Sequence, residues 1–211
     1  MITNISDNSC PPNLQFTAGA SKSANTYLRY KFNTMELQSS FQAAIRFAGE
    51  RHGDQKMPSS NASYLVHLAN VAMEVMVAAS HSPDFDLSFA IKVALLHDVI
   101  EDTPTSYEEV RDYFSEDVAN AVLALTKNEL LPADEQIPDS LKRIKTLQKE
   151  VWAVKLADRI SNMQKPPSSW STEKRKEYQQ VARLILKELQ GGNPYLEDRL
   201  ALLIEKYQEF I

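Results

Sequence analysis

The residues Ala94–Pro104 read ALLHDVIEDTP, placing His97, Asp98, Glu101 and Asp102 close together at the end of an apolar run. An imidazole beside three carboxylates can bind a divalent cation, move protons, or pair with neighbouring Lys and Arg side chains. Asp98 and Asp102 are four residues apart, as are His97 and Glu101, so on a helix each pair shares a face. The preceding residues Leu87, Phe89, Ala90, Ile91, Val93, Ala94, Leu95 and Leu96 surround such a helix almost completely, which marks it as buried. Buried carboxylates without partners are costly, and the helix dipole disfavours negative charge near a C-terminus. Something positive should therefore stand against this turn. One solution is Arg or Lys from an adjacent helix, or a last turn that emerges into water. The other is a divalent cation held by His97 and Asp98, with Glu101 and Asp102 one turn further on. A mixed nitrogen and oxygen donor set suits Mn²⁺, Fe²⁺ or Zn²⁺ better than Mg²⁺ or Ca²⁺.

A metal site needs donors from elsewhere in the chain. The other histidines are His52, His67 and His81. His67 shares a helix face with Asn70 and Glu74, so it is either a ligand or part of a solvated polar stripe. His81, in SHSPDFD, is expected to be exposed, and His52 to be a helix-terminal charge or a support to the site. Asp158, in VWAVKLADRISNM, lies among apolar neighbours and shares a face with Lys155 and Asn162. It is either a ligand or one half of an i,i+3 ion pair with Lys155. Other phosphate chemistries lack their motifs: the five glycines form neither GxxxxGK[ST] nor GxGxxG, and HExxH and GxSxG are missing.

The elements that would carry these residues are helical. Periodicity predicts helices over 35–52, 63–80, 86–102, 107–114, 116–127, 139–149, 151–164, 172–190 and 194–209, with 128–138 and 165–169 as loops. Pro104 should end the third helix, and Ser106 with Glu109 forms a capping-box signature. The fold class is all-α. With 211 residues, 43% hydrophobic and 24% charged, residues 35–211 suit one soluble domain. Residues 1–34 are rich in Ser, Thr and Asn without apolar period and read as a flexible extension lacking a secretory signal. A net charge of −5 argues against a nucleic-acid partner, and no apolar run is long enough to span a membrane. The single cysteine, Cys10, excludes an intramolecular disulfide and fits a reducing cytoplasm.

Taken in order, His67, then His97-Asp98, then Asp158 make an H…HD…D series, which resembles the HD superfamily of metal-dependent phosphohydrolases. YLVH, ALLHDVIEDT, VLALTK and VKLADRISNM are similar to the hydrolase domain of RelA/SpoT-type alarmone enzymes. WSTEKRKEY and LQGGNPYLEDRL are more similar to the stand-alone small alarmone hydrolases. The resemblance runs over residues 36–211 and implies an HD-domain bundle of about nine helices without a synthetase. It implies one Mn²⁺ on His67, His97, Asp98 and Asp158, and Glu101 with Asp102 as the acidic pair that positions and activates water. The reaction implied is hydrolysis of the 3′-pyrophosphate of (p)ppGpp. Substrate contacts are implied at Lys56, Tyr64, Lys155, Arg159, Asn162 and Tyr178. One departure is visible: KMPSSNASYLVH has Lys56 and Met57 where the family carries an Arg-Lys pair before Tyr-x-x-His. Losing a planar guanidinium removes a stacking partner that lysine does not replace, so (p)ppApp and the 2′-phosphate of NADPH stand as alternative substrates.

Overall fold

The computed structural model describes residues 22–58 and 60–211, with side-chain surroundings from residue 35 onward. The chain divides at Met35 into two units, and Glu36–Ile211 is the one that carries every candidate site residue. The extension expected over 1–34 lies mostly outside the described residues, although helix α1 is described from Lys22 and runs to His52. The remaining helices are α2 (Leu65–Ala79), α3 (Leu87–Leu96), α4 (Val99–Asp102), α5 (Tyr107–Tyr113), α6 (Glu116–Leu125), α7 (Ala133–Ile144), α8 (Lys149–Asn162), α9 (Thr172–Glu188) and α10 (Pro194–Lys206), followed by a 3₁₀ turn, Tyr207–Phe210. Among the described residues the only strand-like feature is a single antiparallel bridge between Lys56 and Ser63. None of the described helices is long and apolar enough to cross a membrane.

The all-α expectation holds, and two elements differ from it in ways that matter. The segment expected as one helix over 86–102 is two: α3 stops at Leu96, and α4 begins at Val99 after a break at His97-Asp98. Asp98 thus stands at the N-cap of a new short helix instead of deep in an old one, which relieves part of the dipole penalty on its charge. Pro104 ends the segment as expected, with Thr103 extended at φ −134°. The second difference is α7, which starts at Ala133 inside a stretch expected to be a loop and contains Pro138. Pro138 removes one intrahelical donor and crowds the carbonyl one turn back. Asp134 and Glu135 suit the first turn, and Leu141 and Ile144 anchor the helix in the core. The Ser106–Glu109 capping box forms as expected, with Ser106 Oγ accepting from Glu109 N–H and Glu109 Oε2 accepting from Ser106 N–H.

Helices α2, α3 and α8 pack against one another at the centre, with α6 and α10 on their flanks. Leu68, Val71 and Val75 of α2, Ile91 and Leu95 of α3, and Val154 and Leu156 of α8 are fully buried, each side chain contributing about 1.5–3 kcal/mol. Ala72, Ala94, Ala153 and Ala157 are equally buried and let these helix backbones approach closely. Helices α2 and α8 carry His67 and Asp158 and the end of α3 carries His97, so these candidate donors sit within the packed centre of the unit.

Candidate metal centre and active site

His67 comes from the first turn of α2, His97 and Asp98 from the break between α3 and α4, and Asp158 from the last turn of α8. Their polar atoms converge. His97 Nε2 lies 2.9 Å from Asp98 Oδ2 and 3.3 Å from His67 Nε2. His67 Nε2 lies 3.6 Å from Asp98 Oδ2, and Asp158 Oδ1 stands 3.5 and 3.7 Å from the nitrogens of His67 and His97. A metal bound by such donors at about 2.0–2.2 Å sets adjacent donor atoms about 2.9–3.6 Å apart, so the spacing fits a single cation. The two histidines and Asp98 form the tightest group. Asp158 is the outlying member, held back by Lys155 Nζ, which donates to its Oδ2 at 3.0 Å, and by Asn162 Nδ2, which donates to its Oδ1 at 2.6 Å.

Ring orientation supports the same fit. The Ala94 carbonyl can only accept, so its 2.8 Å contact with His97 Nδ1 puts a proton on Nδ1 and aims Nε2, the nitrogen a metal would meet in place of a proton, into the cluster. Ser161 Oγ meets His67 Nδ1 at 3.2 Å and leaves its Nε2 facing the same point. Burial opposes a charge on His97, but Asp98 and Asp158 outweigh it and lift its pKa well above the ordinary histidine value. His67 is raised in the same way, burial being overcome by the neighbouring carboxylates of Asp158 and Asp98. Burial also opposes the charge on Asp158, yet Lys155 and the two imidazoles hold that carboxyl well below the usual range. Asp98 is likewise held ionised, against burial, by His97 and His67. Two ionised carboxylates acting on two imidazole nitrogens are the field a dication requires, and a divalent metal is what this donor set implies.

The two open alternatives at His67 and Asp158 resolve differently. His67 is not on a solvated stripe, because its neighbour on that face, Glu74, is buried and bridged by both Arg199 Nε and Nη2 at 2.6 Å. Asp158 does pair with Lys155, but the pair stands inside the donor cluster and does not replace it.

One turn past Asp98, the acidic pair divides. Asp102 is exposed, and its Oδ2 accepts from Gln55 Nε2 at 2.9 Å. Glu101 has both oxygens engaged by Lys127, Oε2 by the backbone N–H at 2.9 Å and Oε1 by the ammonium. Of the expected substrate contacts, Tyr64 has its hydroxyl on Asp98 Oδ2 at 2.6 Å, and burial, with Asp98 beside it, pushes its pKa far up. The Lys155 ammonium is committed to Asp158. Lys56 is exposed on the turn closed by its bridge to Ser63. Asn162 is exposed beside Asp158, and its carbonyl accepts from the Tyr178 hydroxyl at 3.2 Å. Arg159 is 7% exposed, lies 4.6 Å from the Tyr178 ring centre, and leaves Nε and Nη1 buried without a partner among the described residues. An unpaired buried guanidinium is a ready anion receptor.

Sequence reasoning did not single out three residues that the structure brings here. Gln55 links Asp102 to His52 Nδ1, which is 2.7 Å from its Oε1, and His52 stacks on Tyr64 at 4.9 Å. Ser161 orients His67, and Lys127 holds Glu101. Only Lys127 carried a signal, as the last residue of VLALTK. His81 is exposed as expected and stacks on Tyr195.

Comparison with known proteins agrees with this architecture. The guanosine-3′,5′-bis(diphosphate) 3′-pyrophosphohydrolase of Xenopus tropicalis is 32% identical over 162 residues, covering 74% of this chain and 88% of its own. The enzyme of the same name from Danio rerio is 30% identical over 164 residues, covering 75% and 89%. A solved structure, described as a metazoan ortholog of SpoT that hydrolyses ppGpp, superposes with a TM-score of 0.71 at 26% identity, covering 82% of this chain and 97% of its own. The family model for the HD domain matches residues 44–191, the span that holds all four converging donors and the acidic pair, and the chain belongs to the HD domain family.

Proposed function

We propose that this chain hydrolyses the 3′-pyrophosphate of (p)ppGpp, giving GDP or GTP and pyrophosphate, in a cytoplasmic setting. The observation that carries the reading is the convergence of His67, His97, Asp98 and Asp158 within 2.9–3.7 Å, with two carboxylates one turn on. The relatives bearing the pyrophosphohydrolase name match nearly their whole length, which supports the same substrate class.

His67, His97, Asp98 and Asp158 would hold one divalent ion, with Mn²⁺ the expected occupant of a mixed nitrogen and oxygen set. When bound, such an ion lowers the pKa of a water and polarises a phosphoryl oxygen. The chain supplies the rest. Tyr64 orients Asp98, and the Ala94 carbonyl and Ser161 fix the two imidazole rings. Asp102 is exposed and takes one amide on Oδ2, so it is the more available carboxylate to accept a proton from the attacking water. Glu101 is less available, both of its oxygens being engaged. Arg159 offers unpaired donors to a phosphate, while Tyr178 and Asn162 form the wall beside Asp158 along which a nucleoside can lie. Lys155 acts on phosphate only through Asp158, and Lys56 reaches the substrate from the exposed turn.

The direct test is incubation of the purified chain with ppGpp, with and without Mn²⁺, followed by chromatography of nucleotides and pyrophosphate. Metal-dependent release of GDP and pyrophosphate is expected; none from ppGpp, ppApp or NADPH would overturn the reading. A second reading rests on one observation: between His52 and Tyr64 the chain carries no arginine, and Lys56 is its only cationic side chain there. Faster turnover of ppApp, or of the NADPH 2′-phosphate, than of ppGpp would favour it.

A further inference from the structure

Lys127 follows α6, in the loop that leads to α7. We propose that Lys127 is a phosphate-receiving cation of this site and that Glu101 is the residue that positions it. The inference rests on the hydrolase reading for its substrate, while its geometry is independent of that reading. Glu101 accepts the Lys127 backbone N–H on Oε2 and the Lys127 ammonium on Oε1, so one carboxylate grips both ends of the same residue. A carboxylate with both oxygens engaged in this way is well placed to hold a cation and less free to take a proton from water. The ammonium has three donors and no acceptor, so the bond to Glu101 leaves two free for a ligand.

Other cations near the cluster are more buried. Lys155 is buried on Asp158, and Arg159 lies over the Tyr178 ring. The Lys127 side chain is 39% exposed, open to an arriving ligand. Burial disfavours its charge, but the Glu101 carboxylate bonded to it, with smaller contributions from Asp98 and Asp158, raises its pKa. Asp98, Asp158, Glu101 and Asp102 bring four negative charges, and Lys127, Lys155, Arg159 and a divalent ion bring five positive ones; of these side chains Lys127 is the exposed one, Lys155 and Arg159 being buried.

The simpler role for this pair is a tether between α4 and the loop after α6, and the test separates the two. Inorganic pyrophosphate is titrated calorimetrically into the full chain loaded with Mn²⁺, for wild type, Lys127→Met, Lys127→Arg, Glu101→Ala, Glu101→Gln and the Lys127→Met/Glu101→Ala double variant. Thermal unfolding and KM for ppGpp are recorded in parallel. Lys127→Met should weaken pyrophosphate about 10- to 100-fold, the span of a charged hydrogen bond, and raise KM more than it lowers kcat. Lys127→Arg should recover a large part of the loss. Glu101→Ala should resemble Lys127→Met, and the double variant should be no worse than either. Glu101→Gln keeps an accepting oxygen and should be milder than Glu101→Ala. A lowered Tm with unchanged pyrophosphate affinity in Lys127→Met would leave only the tether. Additive losses, or Glu101→Gln as damaging as Glu101→Ala, would return Glu101 to proton transfer and overturn the proposal. Pyrophosphate binding that depends on Lys127, in a wild type that does not cleave ppGpp, would uphold Lys127 and sink the hydrolase reading.

Discussion

Replacing Asp158 with Asn tests the centre of the site and its energetics together. Asp158 and Lys155 are each 7% exposed, and their 3.0 Å contact is a buried ion pair. The amide keeps the shape of the carboxylate but leaves the Lys155 ammonium buried without a counter-charge. Breaking a buried pair on one side costs about 3–5 kcal/mol, a large share of a domain stability of roughly 5–15 kcal/mol. In a unit of this size each kcal/mol moves Tm by about 2–4 °C, so the metal-free variant should melt roughly 6–20 °C below wild type. The second readout is the metal. Wild type in Mn²⁺ at a hundred times Kd should gain about 2.7 kcal/mol, roughly 5–11 °C. Asp158→Asn should show almost none of that gain, having lost the oxygen 3.5 and 3.7 Å from the two imidazole nitrogens. The assay is thermal unfolding followed by circular dichroism, with and without Mn²⁺. A variant that melts within 2–3 °C of wild type (about 1 kcal/mol) and still shifts upward with Mn²⁺ would refute both the buried pair and the ligand role.

Other outcomes follow from the same geometry. Asp102→Asn should bind Mn²⁺ as wild type does, by calorimetry, and lose about 100-fold or more in kcat, because Asp102 touches Gln55 and solvent but none of the donor atoms; a fully active variant would remove it from the water. Tyr64→Phe keeps the ring against His52 and His67 but deletes the 2.6 Å bond to Asp98, and should weaken Mn²⁺ about 10-fold with little change in the metal-free Tm. Arg199→Ala strands the buried Glu74 carboxylate; because Arg199 is itself partly exposed, the loss should be about 2–3 kcal/mol in urea unfolding, with Arg199→Lys intermediate.

What the amino-acid order settles by itself is local or periodic. Apolar spacing yields the helices, Ser106 with Glu109 yields a cap, Pro104 yields a stop, and the clustering of His97, Asp98, Glu101 and Asp102 shows that charge must be met at that turn. It could not show that the helix breaks at His97-Asp98, because backbone capping there depends on what packs around it. It misread 133–138, since the cost of a proline inside the helix is outweighed by burial of Leu141 and Ile144. That His67 is buried and not part of a solvated stripe belonged to the tertiary structure, where Arg199, far along the chain, pairs with the buried Glu74 on the same helix. So did the grip of Lys127 on Glu101 and of Gln55 on Asp102. Short-range periodicity cannot encode contacts between residues so distant in sequence; they exist only once α2, α3 and α8 have packed and carried their neighbours into reach.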